Sequence, residues 1–274
     1  MSMQIAIAQL PAQARSDDRV VVTDDAVIVL DGASGCGGGS VQPGTFAELL
    51  GQQLAVQIAL APETDLRLCL EAAIEEVRSE MQLQDADGLS TTVSVLRALP
   101  GHVDVLVLGD SLIVVGGANS WEVVTDPRLE NLDLPETRRY RERLLAGHGY
   151  GPGHDRLVAA LRGRQRCYRN RPGGFWVAAA NPVAARYASV MTFTAAEVRW
   201  IVMATDGAAR PLVHLGWDEW WRIARLDTRE LEALLQYCHR WETESDPDGV
   251  LLPRAKCHDD KTLVAINLPG SCQC

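Results

Sequence analysis

Seven short apolar runs punctuate this 274-residue chain, and most are rich in β-branched residues: 26–30 (AVIVL), 91–99 (TTVSVLRAL), 103–109 (VDVLVLG), 111–117 (SLIVVGG), 174–180 (GFWVAAA), 197–205 (EVRWIVMAT) and 262–268 (TLVAINL). Runs of this length, bounded by Gly, Asp and Ser, are strand signals. Four of them meet an aspartate at one end. Asp31 follows VIVL, Asp110 follows VLVLG, Asp206 follows WIVMAT, and Asp259 stands ahead of TLVAI; an earlier pair, Asp17 and Asp18, precedes the run that leads to Asp31.

Between the strand candidates lie segments of helical spacing at 45–60 and 65–81, where Leu66, Leu70, Ile74 and Val77 fall on one face. Two more helices are expected at 217–226 and 228–241, the second capped by Asp227 or Thr228. WDEWW at 217–221 is expected to pack a helix onto a sheet. The opening segment reads as a first strand and lacks the basic flank of a signal peptide. Strands and helices come in groups, which predicts antiparallel sheets with helices on their outer faces. No linker composition interrupts the chain, so residues 1–274 read as one domain carrying an arginine-rich, partly helical, flap-like insert at about 126–171.

A single aspartate after a strand commonly caps a turn. Several gathered at one end of a sheet repel one another and lose hydration, so they stay ionised there only if cations compensate them. The donors are all oxygens, which favours a hard ion such as Mg2+ or Mn2+. A set this size can hold two ions sharing one carboxylate.

Composition excludes several alternatives. A net charge of −10 argues against a general nucleic-acid binder. Within 128–171, however, eleven arginines stand against five acidic residues, and only Lys256 and Lys261 represent lysine. The insert therefore reads either as a solvated flap or as a surface for phosphorylated or acidic substrate, with Arg138, Arg139 and Arg141 its candidates; His148 and His154 read as exposed. No run approaches the about 20 apolar residues of a membrane span. Seven scattered cysteines suggest free thiols and a cytoplasmic protein. Cys257, His258 and the terminal Cys272 and Cys274 lack the paired spacing of a zinc site. The glycine-rich stretch after Asp31 has no Gly-Lys-Ser/Thr register, and neither Ser34 nor Ser111 sits in Gly-x-Ser-x-Gly.

The ordered set of motifs resembles the metal-dependent protein phosphatases of the PPM, or type 2C, family. VIVLDGASG is similar to the family's Asp-Gly-His-Gly-Gly strand end, GLSTTVSV to its Gly-Ser/Thr-Thr strand, and VLVLGDS to its Val-Gly-Asp-Ser. IVMATDG is similar to its Ser/Thr-Asp-Gly, DDKTLVAI to its Asp-Asn-x-Thr strand, and SDD at 16–18 to its Asn-Glu-Asp. The resemblance implies an α+β fold, a four-layer α-β-β-α sandwich with two central antiparallel sheets and the metals at one end. It implies that Asp31 bridges two ions and that Gly32 offers one of them its carbonyl. Asp206 and Asp259 would complete the shell of the other, with Asp17 and Asp18 acting through water and Asp110 with Asp206 holding a weaker third ion. The implied activity is hydrolysis of phosphoserine and phosphothreonine by a metal-bridging hydroxide. The implied partners are a phosphoprotein and a serine/threonine kinase or its targets, for a monomer of the family's bacterial style. A silent phosphatase-fold binding module and a phosphatase for a non-protein phosphate ester are the alternatives.

Three positions depart from the family pattern. Ala33 stands where many members have His, a proton donor for the leaving group. The phosphate-binding Arg would fall on Gln13, leaving Arg15 or the insert to replace it. Lys261 occupies a place that is commonly apolar.

Overall fold

A computed structural model describes residues 3–33, 42–84 and 88–268. Ser34, Cys36, Cys272 and Cys274 lie outside the described residues. The strands are β1 (Gln4–Leu10), β2 (Asp18–Val22), β3 (Ala26–Ala33), β4 (Ser90–Thr91), β5 (Val93–Leu99), β6 (His102–Leu108), β7 (Leu112–Gly116), β8 (Trp121–Thr125), β9 (Ser189–Thr194), β10 (Trp200–Ala204) and β11 (Lys261–Asn267). The helices are α1 (Pro43–Leu60), α2 (Leu66–Met81), α3 (Pro135–Leu145), α4 (Pro152–Tyr168), α5 (Asp206–His214), α6 (Trp220–Ile223) and α7 (Thr228–Glu244).

Two antiparallel sheets form, with strand orders β1-β11-β10-β7-β8 and β2-β3-β5-β6-β9, and β4 pairs with β3 beside the second. Strand β3 shows why its sequence is apolar without alternation. Val27 and Val29 pack between the sheets against Val105, Val107, Met203 and Val264, while Ile28 and Leu30 face Phe46 and Leu50 of α1 and Leu70 and Ile74 of α2. A strand covered on both faces has no polar side to show. On the other flank, Val202, Ala204, Leu263 and Ala265 meet Leu212 of α5, Trp220 of α6 and Leu231 and Leu235 of α7. The expected α-β-β-α layering is thus observed, and Leu66, Leu70, Ile74 and Val77 are the buried stripe of α2.

Asp227 caps α7 in a reciprocal box with Glu230, two otherwise orphaned amides being satisfied at once. The 217–226 helix is much shorter than its periodicity predicts. Trp217 instead closes the turn after α5, its amide donating to the Leu212 carbonyl, and Trp221 lies under Arg222 and Arg225. The 174–180 run is not a strand but a buried extended segment whose backbone, among the described residues, pairs with the sheet only between Ala178 and Thr91. Its apolar character reports burial; the Val177 amide is satisfied by the Asn170 side chain instead of a ladder. Strands β8 and β9 go unannounced because each is a sheet edge with one mostly polar or exposed face. Helix α5 is disguised by Pro211 inside it.

The insert folds as α3 and α4 around Leu134, Tyr140, Leu144 and Leu161. His154 is buried here, against expectation, packed edge-on to Tyr140 and Tyr150 with Nε2 2.9 Å from the Ala255 carbonyl. Among the described residues no helix is long and apolar enough to cross a membrane, and Cys69, Cys167, Cys238 and Cys257 are free thiols.

Candidate active site

Antiparallel pairing explains why three aspartates follow their strands and a fourth precedes one. Asp18 pairs with Asp31 across β2 and β3, and Ala204 of β10 pairs with Leu263 of β11. The C-terminal end of β3 therefore lies beside the N-terminal end of β2, and that of β10 beside the N-terminal end of β11; hydrogen bonds from Thr205 and Thr262 to Asp18 join these two sheet ends. Asp17, Asp31, Asp110, Asp206 and Asp259 accordingly line one cleft of about 360 Å³ at the end of the sandwich.

The backbone around Asp31 is held by the threonine pair of GLSTTVSV. The Thr91 hydroxyl donates to the Asp31 carbonyl at 2.9 Å, the Thr92 amide donates to it at 3.0 Å, and the Asp31 amide donates to the Thr92 hydroxyl at 3.2 Å. Thr92 and Ser111 hydroxyls then pair at 2.8 Å, tying β5 to the turn that carries Asp110. Sequence reading identified this motif without giving the threonines a role.

Gly32 is required by close approach. A Cβ there would lie 2.7 Å from the Asp17 carbonyl and 3.1 Å from Pro43. Gly207 is required likewise, since its Cβ would lie 2.0 Å from the Asp260 carbonyl, closing α5 onto the segment that bears Asp259. Asp206 opens α5, where an anionic side chain suits the helix N-terminus.

Asp18 sits deeper than its neighbours. It is buried, and its Oδ2 accepts from Thr205 at 3.0 Å and Thr262 at 2.7 Å, while its Oδ1 has no partner among the described residues. Asp17 accepts the Gly44 amide at 3.0 Å and gives its own amide to Asp260, which also takes the Ser16 hydroxyl at 3.0 Å. Asp260, standing where the family motif has Asn, thus braces the N-terminal loop.

Burial raises these acids, and each carboxylate raises the others. Burial first, then Asp18, Asp206, Asp259 and Asp110, hold Asp31 well above the ordinary carboxylate range. Burial and then Asp206 push Asp110 up to about 7 against the opposing charge of Arg210. Asp18 is likewise pushed up to about 7, by burial that outweighs its bonds from Thr262 and Thr205. Burial and then Asp206 also raise Asp259, with Lys256 opposing. Two cations of the chain answer part of this charge. Arg210 lies 3.5 Å from both Asp110 and Asp206, and Lys256 pairs with Asp259.

The same cleft also carries basic residues. Arg162 and Arg166 of α4 line it together with Arg169, whose guanidinium donates to the Gly88 carbonyl at 3.0 Å. Arg15 is exposed in a 3-10 turn and lies outside the cleft lining, as do Arg138, Arg139 and Arg141 on α3. Spacing had indicated an arginine-rich insert; which arginines reach the acids depends on how α4 docks.

A family model described as Protein phosphatase 2C matches residues 9–237. Solved structures share the fold at low identity. The Mycobacterium tuberculosis serine/threonine phosphatase PstP/Ppp is 15% identical, with 98% of this chain and 99% of that chain covered and a TM-score of 0.56. The serine/threonine phosphatase Stp1 from Staphylococcus aureus is 13% identical over 98% of this chain and 96% of that one, at 0.59. The catalytic domain of PstP in complex with two manganese ions is 13% identical over 97% of each chain, at 0.53. A search of curated proteins gave no match.

Proposed function

Because the chain belongs to the protein phosphatase 2C family, we propose that it is a divalent-cation-dependent phosphatase acting on phosphoserine and phosphothreonine in proteins. The convergence of Asp31, Asp110, Asp206 and Asp259 on one cleft carries this assignment. Buried acids that raise one another, beside the unpartnered Oδ1 of Asp18, make a donor set that fits hard cations. Asp31, the Gly32 carbonyl, Asp206 and Asp259 would hold two Mg2+ or Mn2+ ions, with Asp17 and Asp18 acting through water and Asp110 joining Asp206 at a third. Bound there, the ions supply an activated water and neutralise charge on the phosphoryl group. The manganese-bound PstP relative supports this choice of ion.

The chain's own residues do the rest. Thr91 and Thr92 fix the Asp31 backbone, so its carboxylate is positioned before substrate arrives. Arg162 and Arg166 line the same cleft as the acids and suit a substrate phosphate, a role that the sequence left open between Arg15 and the insert. Ala33 offers no proton. Lys256 lines the cleft beside Asp259, and that carboxylate holds its ammonium above the ordinary range despite burial. It therefore stays protonated and stabilises the departing alkoxide by charge, while water supplies the proton that completes the alcohol.

Hydrolysis of a phosphothreonine peptide with added Mn2+ tests the assignment. Turnover is expected in the wild type and absent in folded Asp31→Asn and Asp206→Asn. Wild-type turnover no greater than that of the variants overturns it, and turnover restricted to small phosphate esters overturns the protein-substrate half.

A further inference from the structure

On the far side of the segment that bears Asp259, His239 and Glu242 stand one helical turn apart on α7 and meet His258. One ligand atom from each lies within 4.8 Å of those of the other two. The two imidazole centroids are 4.3 Å apart, and His258 Nδ1 is 3.1 Å from Glu242 Oε2. Glu242 is only 2% exposed, whereas both imidazoles keep an open side. We propose that His239, Glu242 and His258 form a second cation site, separate from the aspartate cleft, for a borderline divalent ion of the zinc class.

The donor set decides the class of ion. Two imidazole nitrogens and one carboxylate suit zinc, whereas the all-oxygen cleft suits magnesium or manganese. Residues three apart on a helix project to one face, so α7 supplies two ligands with no change of backbone. Ligand atoms about 2.1 Å from a tetrahedral ion stand about 3.4 Å apart. Closing the cluster to that spacing needs rotation of two partly exposed imidazoles and release of the Glu242 carboxylate by Lys261.

Lys261 is the competing cation. Its Nζ lies 2.9 Å from Glu242 Oε2 and balances that buried carboxylate, but it also donates to the Asp259 carbonyl at 3.0 Å. Yielding the carboxylate oxygen to an ion leaves the ammonium an acceptor. His258 directly precedes Asp259, so an ion clamping His258 to α7 also constrains the backbone that presents Asp259 to the cleft.

The experiment is independent of phosphatase activity. Metal-stripped full-length protein is saturated with Mg2+ to fill the cleft and titrated with Zn2+ by calorimetry, with X-ray absorption at the zinc edge reading the ligands. Expected are one saturable zinc per chain with nitrogen and oxygen neighbours, and its loss in His239→Ala and His258→Ala, with His258→Gln as a second replacement. Circular dichroism and melting confirm that the variants are folded. Zinc retained at full stoichiometry in the folded variants, sulfur scattering from Cys257, Cys272 or Cys274, or no saturable zinc in the wild type overturns the proposal.

Discussion

Thr262 donates its hydroxyl to Asp18 Oδ2 at 2.7 Å, joining the start of β11 in one sheet to the start of β2 in the other. Neither residue lines the acidic cleft, but Asp18 directly follows Asp17, which does. The bond holds one carboxylate of the cluster in place while leaving the other oxygen of that carboxylate unpartnered.

Replacing Thr262 with Val keeps the shape and removes the donor. Asp18 is left with Thr205 alone on that oxygen, at a cost of about 1–3 kcal/mol. Urea denaturation of the two proteins measures it, and Mn2+ affinity by calorimetry is expected to fall in parallel.

Stability of the metal-free protein depends on pH in a definite direction. Burial and mutual repulsion push Asp18 and Asp110 up to about 7 in the folded state from the ordinary 3.8, and Asp31 and Asp259 are also raised. Between those values the folded chain holds more protons than the unfolded one, so stability is greatest near the unfolded value and is lost as pH rises through the folded one. The melting temperature of chelator-treated protein should decline from about pH 5 to about pH 7.5, with Mn2+ restoring more at the higher pH. A flat profile in chelator would show that these acids do not repel in the folded protein.

Gly32→Ala places a methyl 2.7 Å from the Asp17 carbonyl. Backbone on both sides must give way, costing about 1–3 kcal/mol and displacing the carbonyl proposed as a ligand. Loss of Mn2+-dependent turnover with a lowered urea midpoint is the expected result.

The double variant Arg162→Ala, Arg166→Ala removes basic residues from the cleft without touching the acids. KM for a phosphopeptide should rise roughly tenfold, about 1.4 kcal/mol, with kcat for an aryl phosphate nearly unchanged. Neutralising Arg138, Arg139 and Arg141 should leave both constants alone, because these side chains lie outside the cleft lining.

Lys261→Met strands Glu242 as a buried charge. Lys261 is 1% and Glu242 2% exposed, and removing one partner of such a pair costs about 3–5 kcal/mol. Replacing both, with Glu242→Leu added, should recover most of that loss in urea denaturation. This pair also accounts for a lysine at a position that is commonly apolar in the family: the charge is matched from α7, which no local pattern announces.

Much of the fold was legible in the chain. The grouping of strands and helices already implied sheets with helices on their outer faces, and β3 is covered in that way. The α2 stripe and the Asp227 cap were readable because helical contacts repeat locally every three or four residues. Edge strands β8 and β9 were not, because burial on one side leaves a weak pattern, and 174–180 misled because apolarity reports burial and not pairing. At the site, the aspartates were legible by type and by their place at strand ends. Their convergence was implied by the family resemblance and not by spacing, since it requires antiparallel pairing within each sheet and the packing of one sheet on the other to bring the end of β3 and the beginning of β11 together. Nor could spacing show that α4 and not α3 turns its arginines to the cleft, that Asp18 is buried, or that His239, Glu242 and His258 meet. Residue chemistry and periodicity are local properties of a chain; which charges face one another depends on contacts between segments far apart in it, and only the folded packing decides those.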